Sequence, residues 1–316
     1  MLPASAQQAD GFAAALGPYR ASDGVRASYR GAYATRRPTE PSSPQLGTLQ
    51  HEAHVFGSLS SNEERDVSAN AHFRLYDFLG KDLRTTGRDF STPLWDIGAG
   101  PAFRKRLSDG DVWGGNFSVG SASDKPFHSW HEMTVQANTY YRLQSAASNL
   151  KNAWIFLVNY SNNRSFANHI PLPGFAYWWE PSESFRALIG LPFLNLSIKP
   201  TNKLGFNLTY FAPWAASFQA SYRIVGPLQG YGAFQWGNKS YYLAERTDKR
   251  ERLFYDEKKA SLGVRSPVSK ALYLDLSAGY AFDRIFFKGE KFRHRNEAVR
   301  VGNGWVFSTQ LSAHVM

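Results

Sequence analysis

The chain has no cysteine among its 316 residues, which excludes a disulfide framework and a thiolate metal centre. Long apolar runs are missing too. The run from Ala153 to Val158, the longest near the middle, falls far short of the roughly 20 residues a spanning helix needs. Helical periodicity leaves only a weak trace around Phe12 to Leu16. No long block of like charge occurs, so the net charge of +10 reads as scattered arginines rather than a nucleic-acid-binding arm. The two densest clusters, Arg246 to Arg252 and Lys288 to Arg295, mix both signs and read as solvated loops.

What is plentiful is aromatic. There are 9 Trp, 16 Tyr and 23 Phe, yet the mean hydropathy is -0.41. An aromatic-rich but polar chain suits an all-β protein, either soluble or a transmembrane barrel whose polar lumen dilutes its hydropathy. From about residue 25 onward the sequence alternates with a period of two, as a strand with one apolar and one polar face requires. Leu272, Leu274, Leu276, Ala278, Tyr280 and Phe282 oppose Tyr273, Asp275, Ser277, Gly279, Ala281 and Asp283. Val25, Ala27, Tyr29, Gly31 and Tyr33 likewise oppose Arg26, Ser28 and Arg30.

About fifteen such segments can be counted, joined alternately by short turns (108–110, 180–183, 266–269) and longer polar loops (37–47, 80–92, 162–170, 287–301). Closed antiparallel barrels have an even number of strands, so the expectation is an up-and-down transmembrane β-barrel of about 14, within roughly 12 to 16. The ambiguity lies in residues 171–200, where Pro173, Pro181, Pro192 and Pro200 either remove a strand or, at Pro192, divide one segment into two. A barrel of more than about eight strands cannot fill its interior with side chains, so the apolar face is expected to point outward, to lipid. A soluble β-sandwich, propeller or solenoid is the competing architecture, although no repeat of blade length is present.

On that orientation Arg26, Arg30, Arg74, Glu132, Arg142, Arg223, Asp275 and Asp283 are expected to line the lumen. Trp95, Trp113, Trp154, Trp178, Trp179, Trp214 and Trp305, near segment ends, are expected to anchor the membrane interface. The N-terminus carries Ala4-Ser5-Ala6, a small-residue cleavage pattern without an upstream apolar stretch. Residues 1–6 are therefore expected to be a signal-peptide remnant, 7–23 an N-terminal periplasmic segment and 24–316 the barrel.

The features Pro173-Gly174, Tyr177, Glu180-Pro181-Ser182, Phe185, Gly190-Leu191-Pro192 and Ala278-Gly279-Tyr280-x-Phe282-Asp283-Arg284 resemble a widespread family of Gram-negative outer-membrane β-barrels of unknown function. The resemblance implies a location in the cell outer membrane and a barrel fold, and no reaction. The chain departs from the usual aromatic terminus of barrel-assembly signals, ending His314-Val315-Met316.

The eight histidines form no recognisable catalytic motif. A zinc helix would need His where Val135 follows His131-Glu132, and the stretch reads as a strand. Asn168-His169 and Ser129-Trp130-His131 are the nearest candidates for a barrel-wall hydrolase, and neither carries a nucleophile motif. No catalytic, metal or cofactor site is expected. The expected role is a porin-like channel or binding barrel for a small solute. Its alternative is a structural or assembly barrel partnering another envelope protein or a second copy. The expected surroundings are the lipid bilayer and lipopolysaccharide, with no nucleic acid.

Overall fold

The computed structural model describes residues 16–19, 24–40, 45–80, 84–85, 88–89, 92–144, 152–212 and 215–315. Among them, sixteen strands form one closed antiparallel sheet: β1 Val25–Glu40, β2 Gln45–Ser61, β3 Arg65–Leu79, β4 Leu94–Arg106, β5 Val112–Ser123, β6 Met133–Gln144, β7 Ala153–Ser161, β8 Leu172–Ser182, β9 Phe185–Leu191, β10 Phe193–Ile198, β11 Leu204–Phe211, β12 Ala215–Val225, β13 Leu228–Tyr241, β14 Arg252–Pro267, β15 Leu272–Gly289 and β16, in two collinear pieces, Asn296–Val301 and Gly304–Val315. Each strand pairs with its sequence neighbours. The ring closes where Arg30 of β1 stands between Glu52 of β2 and Gln310 of β16. Two-residue pieces at 84–85 and 88–89 pair separately in the β3–β4 connection. Because every neighbour is antiparallel, only an even count can close.

Residues 171–200 supply three strands. Pro192 sits in the turn between β9 and β10, where Ile189 pairs with Leu194, so the proline divides one sequence segment into two strands. The stretches 37–47 and 287–301 read as loops from their polarity, but β1, β2, β15 and β16 extend through most of both. The wall is uneven as a result: β1, β2, β14 and β15 have 16 to 18 residues, whereas β9, β10 and β11 have 7, 6 and 8.

Both ends of the barrel chain, Val25 and Val315, lie at one rim, called here the lower rim. It also carries the short connections 62–64, 107–111, 183–184, 199–203, 226–227 and 268–271. The β12–β13 turn needs only Gly226 and Pro227, and Gly226 supplies the positive φ of 51° that tightens it. The broad connections 80–93, 124–132, 162–171, 242–251 and 290–295 gather at the upper rim.

Alternation sorts the side chains as the sequence indicates. On β15, Leu276 and Tyr280 stand exposed on the outer face, and Asp275, Gly279 and Ala281 are buried on the inner one. Exposed apolar residues circle the barrel: Tyr29, Val55, Phe103, Phe117, Phe156, Phe175, Ile189, Phe218, Leu262 and Phe307. Besides a small alanine-rich cluster of Ala32, Ala34, Ala281 and Val306, two larger apolar clusters occur inside. One, near the upper rim, joins Leu46, Tyr76, Leu94, Tyr241, Leu253, Tyr255 and Phe286. The other joins Val112, Tyr140, Ile155, Leu157, Trp178, Leu188 and Phe193 on the short wall, together with Leu16.

Candidate functional site

Between the two apolar clusters the inner wall is charged and tightly paired. Glu52 of β2 receives the Arg74 Nε at 2.9 Å, with Lys239 Nζ of β13 at 3.4 Å and Arg30 Nη1 of β1 at 3.6 Å. Arg74 also donates Nη1 to Asp96 at 2.7 Å, and His72 lies 3.1 Å from the other oxygen of that carboxylate. His72 reaches Asp96 because Gly98 stands opposite it; a Cβ there would lie 2.6 Å from the imidazole. Arg284 sits 3.4 Å from Glu257, and Lys239 rests over the Tyr76 ring at 4.2 Å. Glu52, Arg74 and Arg284 are buried and the others half-buried, so the group depends on mutual pairing to offset the loss of water. The arrangement spans the interior from β1–β4 to β13–β15.

Lower on the tall wall, Asp275 accepts a hydrogen bond from Arg265 Nε at 2.8 Å, with Nη2 of the same guanidinium 2.7 Å away, and another from the Tyr231 hydroxyl at 2.6 Å. Arg26 and Arg223 stand exposed near the lower rim at inner-face positions, and Arg142 is buried on β6 with Nη1 2.5 Å from Gln144.

Two residues expected on the inner wall lie elsewhere. Glu132 closes a short 3-10 turn, Trp130–Glu132, in the upper β5–β6 connection. Ser129 caps that turn: its Oγ accepts from the His131 N–H and donates to Glu132 Oε2 at 2.6 Å. The spacing Ser129-x-x-Glu132 is a capping box, the signal that separates this stretch from the strand after it. The Ser129 hydroxyl is thus turned to Glu132 and not to an imidazole. Asp283 falls in a bulge, with φ of 51°, where Asp283 and Arg284 together face Glu257. The extra residue breaks the alternation, so Arg284 turns inward and Asp283 lies on the outer face, 2.7 Å from Lys258.

The tryptophans divide as well. Trp113, Trp154 and Trp179 lie on the outer face toward the lower rim, edge-on or tilted against Phe103, Tyr177 and Phe185 at 4.7 to 5.0 Å. Trp95 and Trp305 lie on the outer face higher up, against Phe73 and Tyr280. Trp178 points inward, 4% exposed, because two consecutive strand residues cannot share a face. Trp214 and residues 1–15 lie outside the described residues.

Glu52, Asp96, Lys239, Lys259 and Glu257 were not singled out in the sequence, although period-two parity places each on the polar face of its strand. Their mutual pairing is a property of barrel closure, which brings β2 and β13 across the interior from each other.

Both ends of the interior carry further chain. At the upper rim the tip of β13 and its connection to β14 cross to the opposite wall. Tyr242 N–H donates to Ala122 O at 2.7 Å, Ala244 N–H to Asp124 at 2.8 Å, and Arg246 forms a buried ion pair with Glu132 at 2.9 Å. The β7–β8 connection clasps the same tip from the other side, Asn163 donating to Ser240 O at 3.0 Å. At the lower end, residues 16–19, part of the expected N-terminal segment 7–23, pack against the inner wall. Leu16 is fully buried in the short-wall cluster. Arg104 donates to Gly17 O and Pro18 O at 3.3 and 3.2 Å and stacks on Tyr19, whose hydroxyl donates to Asn62 O.

No family model and no curated protein matches the chain. Among solved structures, it is similar to OccAB4 of Acinetobacter baumannii (9% identity over 95% of this chain and 99% of that one, TM-score 0.41). It is also similar to an outer membrane channel of Pseudomonas putida F1 (10% identity, 94% and 97%, TM-score 0.39). A third likeness is to the translocator domain of the autotransporter NalP of Neisseria meningitidis (9% identity, 98% and 97%, TM-score 0.32).

Proposed function

We propose that the protein is an outer-membrane β-barrel of a Gram-negative cell that passes or binds a small solute, and that the structure is its closed state. The observation that carries this is the placement of polarity. An apolar outer belt surrounds a sixteen-strand ring whose inner face holds Arg30, Glu52, Arg74 and Asp96. A water-soluble barrel would show the reverse, since an exposed apolar belt of this extent costs solubility. In a bilayer the belt meets acyl chains, the rings of Trp113, Trp154 and Trp179 meet one headgroup layer, and the outer leaflet supplies lipopolysaccharide around the broad loops. The short connections and the strand ends Val25 and Val315 then face the periplasm.

The arch at the upper rim and the strap of residues 16–19 narrow the two ends of the interior, which makes the structure a resting state. The buried pairing around Glu52 also favours a second reading, a structural barrel that presents its loops to an envelope protein. Single-channel recording in planar bilayers separates the two. Stepwise conductance supports passage, and silence in well-folded protein rejects it. Purified protein that stays monomeric and soluble without detergent would overturn the membrane placement itself.

A further inference from the structure

The inner wall holds more positive charge than its carboxylates offset. Around the barrel middle, Arg30, Arg74, Lys239, Lys259 and Arg284 face Glu52, Asp96 and Glu257, five cations against three anions. Four of the cations lie within 4 Å of a carboxylate. Lys259 has no hydrogen-bond or ion-pair partner among the described residues, yet it is 8% exposed. Its cross-strand partner is Gln235, whose amide Nε2 is buried without an acceptor. Both side chains project from the inner face, so two donors that lack acceptors stand side by side on β13 and β14.

A buried ammonium that no carboxylate reaches at ion-pair distance, with Glu257 and Glu52 attracting it only from farther away, and a buried amide donor without an acceptor each cost folding free energy. A small anion would offset both. Below Lys259 the inner wall is small and polar, with Ser28, Ser261, Ser277, Ser308 and Ser312, and the exposed Arg26 and Arg223 flank the way in from the lower rim. Fixed cations along such a path draw anions inward and exclude cations.

We propose that Lys259 and Gln235 form a binding site for a small oxyanion, a carboxylate or a phosphate, inside the barrel. The ammonium supplies the charge, the amide of Gln235 one directed hydrogen bond, and Arg30 and Lys239 the surrounding field. This names the solute class for the function proposed above and rests on that reading for its biological meaning; the binding itself does not require conductance.

The test is thermal unfolding of the detergent-solubilised protein in potassium phosphate, potassium acetate and potassium chloride at equal ionic strength, followed by circular dichroism and by heat-modifiable migration. Wild-type protein is expected to show a saturable upward shift in midpoint with phosphate or acetate beyond chloride, and the responding salt identifies the oxyanion. Lys259→Met is expected to match or exceed the wild-type midpoint in chloride, having lost a buried cation with no direct ion pair, and to lose the oxyanion shift. Gln235→Leu weakens the shift, and Lys259→Arg retains it. A wild-type protein without oxyanion-specific stabilisation, or a Lys259→Met variant that keeps it, overturns the proposal. Channel activity in bilayers is scored separately, so a protein that binds phosphate but does not conduct would reject passage and leave the site standing.

Discussion

Glu132 and Arg246 come from connections on opposite walls of the ring, after β5 and after β13, and meet in a buried ion pair of 2.9 Å over the upper mouth. Arg246 also donates to His131 O at 2.5 Å and to Leu243 O at 2.7 Å, so one guanidinium ties the two connections together. Removing one member of a buried pair typically costs about 3 to 5 kcal/mol, because the other charge is left without compensation. Arg246→Ala is therefore expected to free the arch and raise the frequency or size of openings in planar bilayers. Unchanged recordings from a folded variant would show that the arch does not limit passage.

The same pair sets a pH dependence. Burial alone would raise the Glu132 carboxyl, but hydrogen bonds from Ser129 and Arg246 and the Arg246 charge outweigh it and hold the group below its ordinary value of 4.5. A carboxyl depressed in the folded protein contributes stability that is complete above the ordinary value and is lost as pH falls through the folded one. Acidification below that range is expected to increase openings in wild type and to change little in Glu132→Gln, which is already uncharged. An acid response of equal size in both proteins would assign it to another group.

Arg104 holds the strap through two carbonyls and the Tyr19 ring. The chain has no cysteine, so a single cysteine at Gly17 reports on the strap without background. Its alkylation by a bulky maleimide is expected to be slow in the otherwise wild-type barrel. Arg104→Ala, or Leu16→Asp, which places a charge in the apolar cluster, is expected to accelerate it at least tenfold. Fast labelling in the parent would mean that Leu16 leaves the cluster readily.

Glu52 is the shared acceptor of three cations, so Glu52→Gln leaves Arg30, Arg74 and Lys239 facing one another, with Asp96 still paired to Arg74 alone. The expected loss is on the order of 3 to 5 kcal/mol, measured as a lower urea midpoint for refolding into lipid vesicles. Arg223→Gln at the exposed lower rim is the control, expected to shift the midpoint little. Equal shifts would place the strength of the barrel outside the buried network.

Adjacent positions on β15 test the orientation directly. Leu276→Arg puts a charge on the outer belt and is expected to cost about 2 to 4 kcal/mol of folding into a bilayer. Ser277→Arg faces the interior and is expected to fold into vesicles with a midpoint near wild type. The opposite order of effects would invert the barrel's faces.

The period-two alternation of Leu272 to Asp283 was enough to assign a strand and its two faces, because strand geometry sends successive side chains to opposite sides whatever the rest of the chain does. The same alternation within β1 and β3 puts Arg30 and Arg74 on the polar faces of their strands, as it does Asp275 on β15. Local pattern failed where local geometry departs from the rule. Asp283 sits in a bulge that adds one residue to β15, and Glu132 belongs to a capped turn rather than to the strand after it; Trp178 obeys the alternation, which sends it inward beside the outward Trp179.

By itself, then, the sequence determined that this chain forms amphipathic antiparallel strands and that their apolar faces are too many to share one packed core. Tertiary structure alone decided the number sixteen, since division at Pro192 depends on β9 and β10 finding each other across a tight turn. It also decided which charges meet. Glu52 and Lys239 lie 187 positions apart, and only closure of the ring brings β2 and β13 near enough for one carboxylate to compensate cations from both walls. The strap and the arch follow the same logic, for what fills a barrel is chosen by the shape of the space that closure leaves.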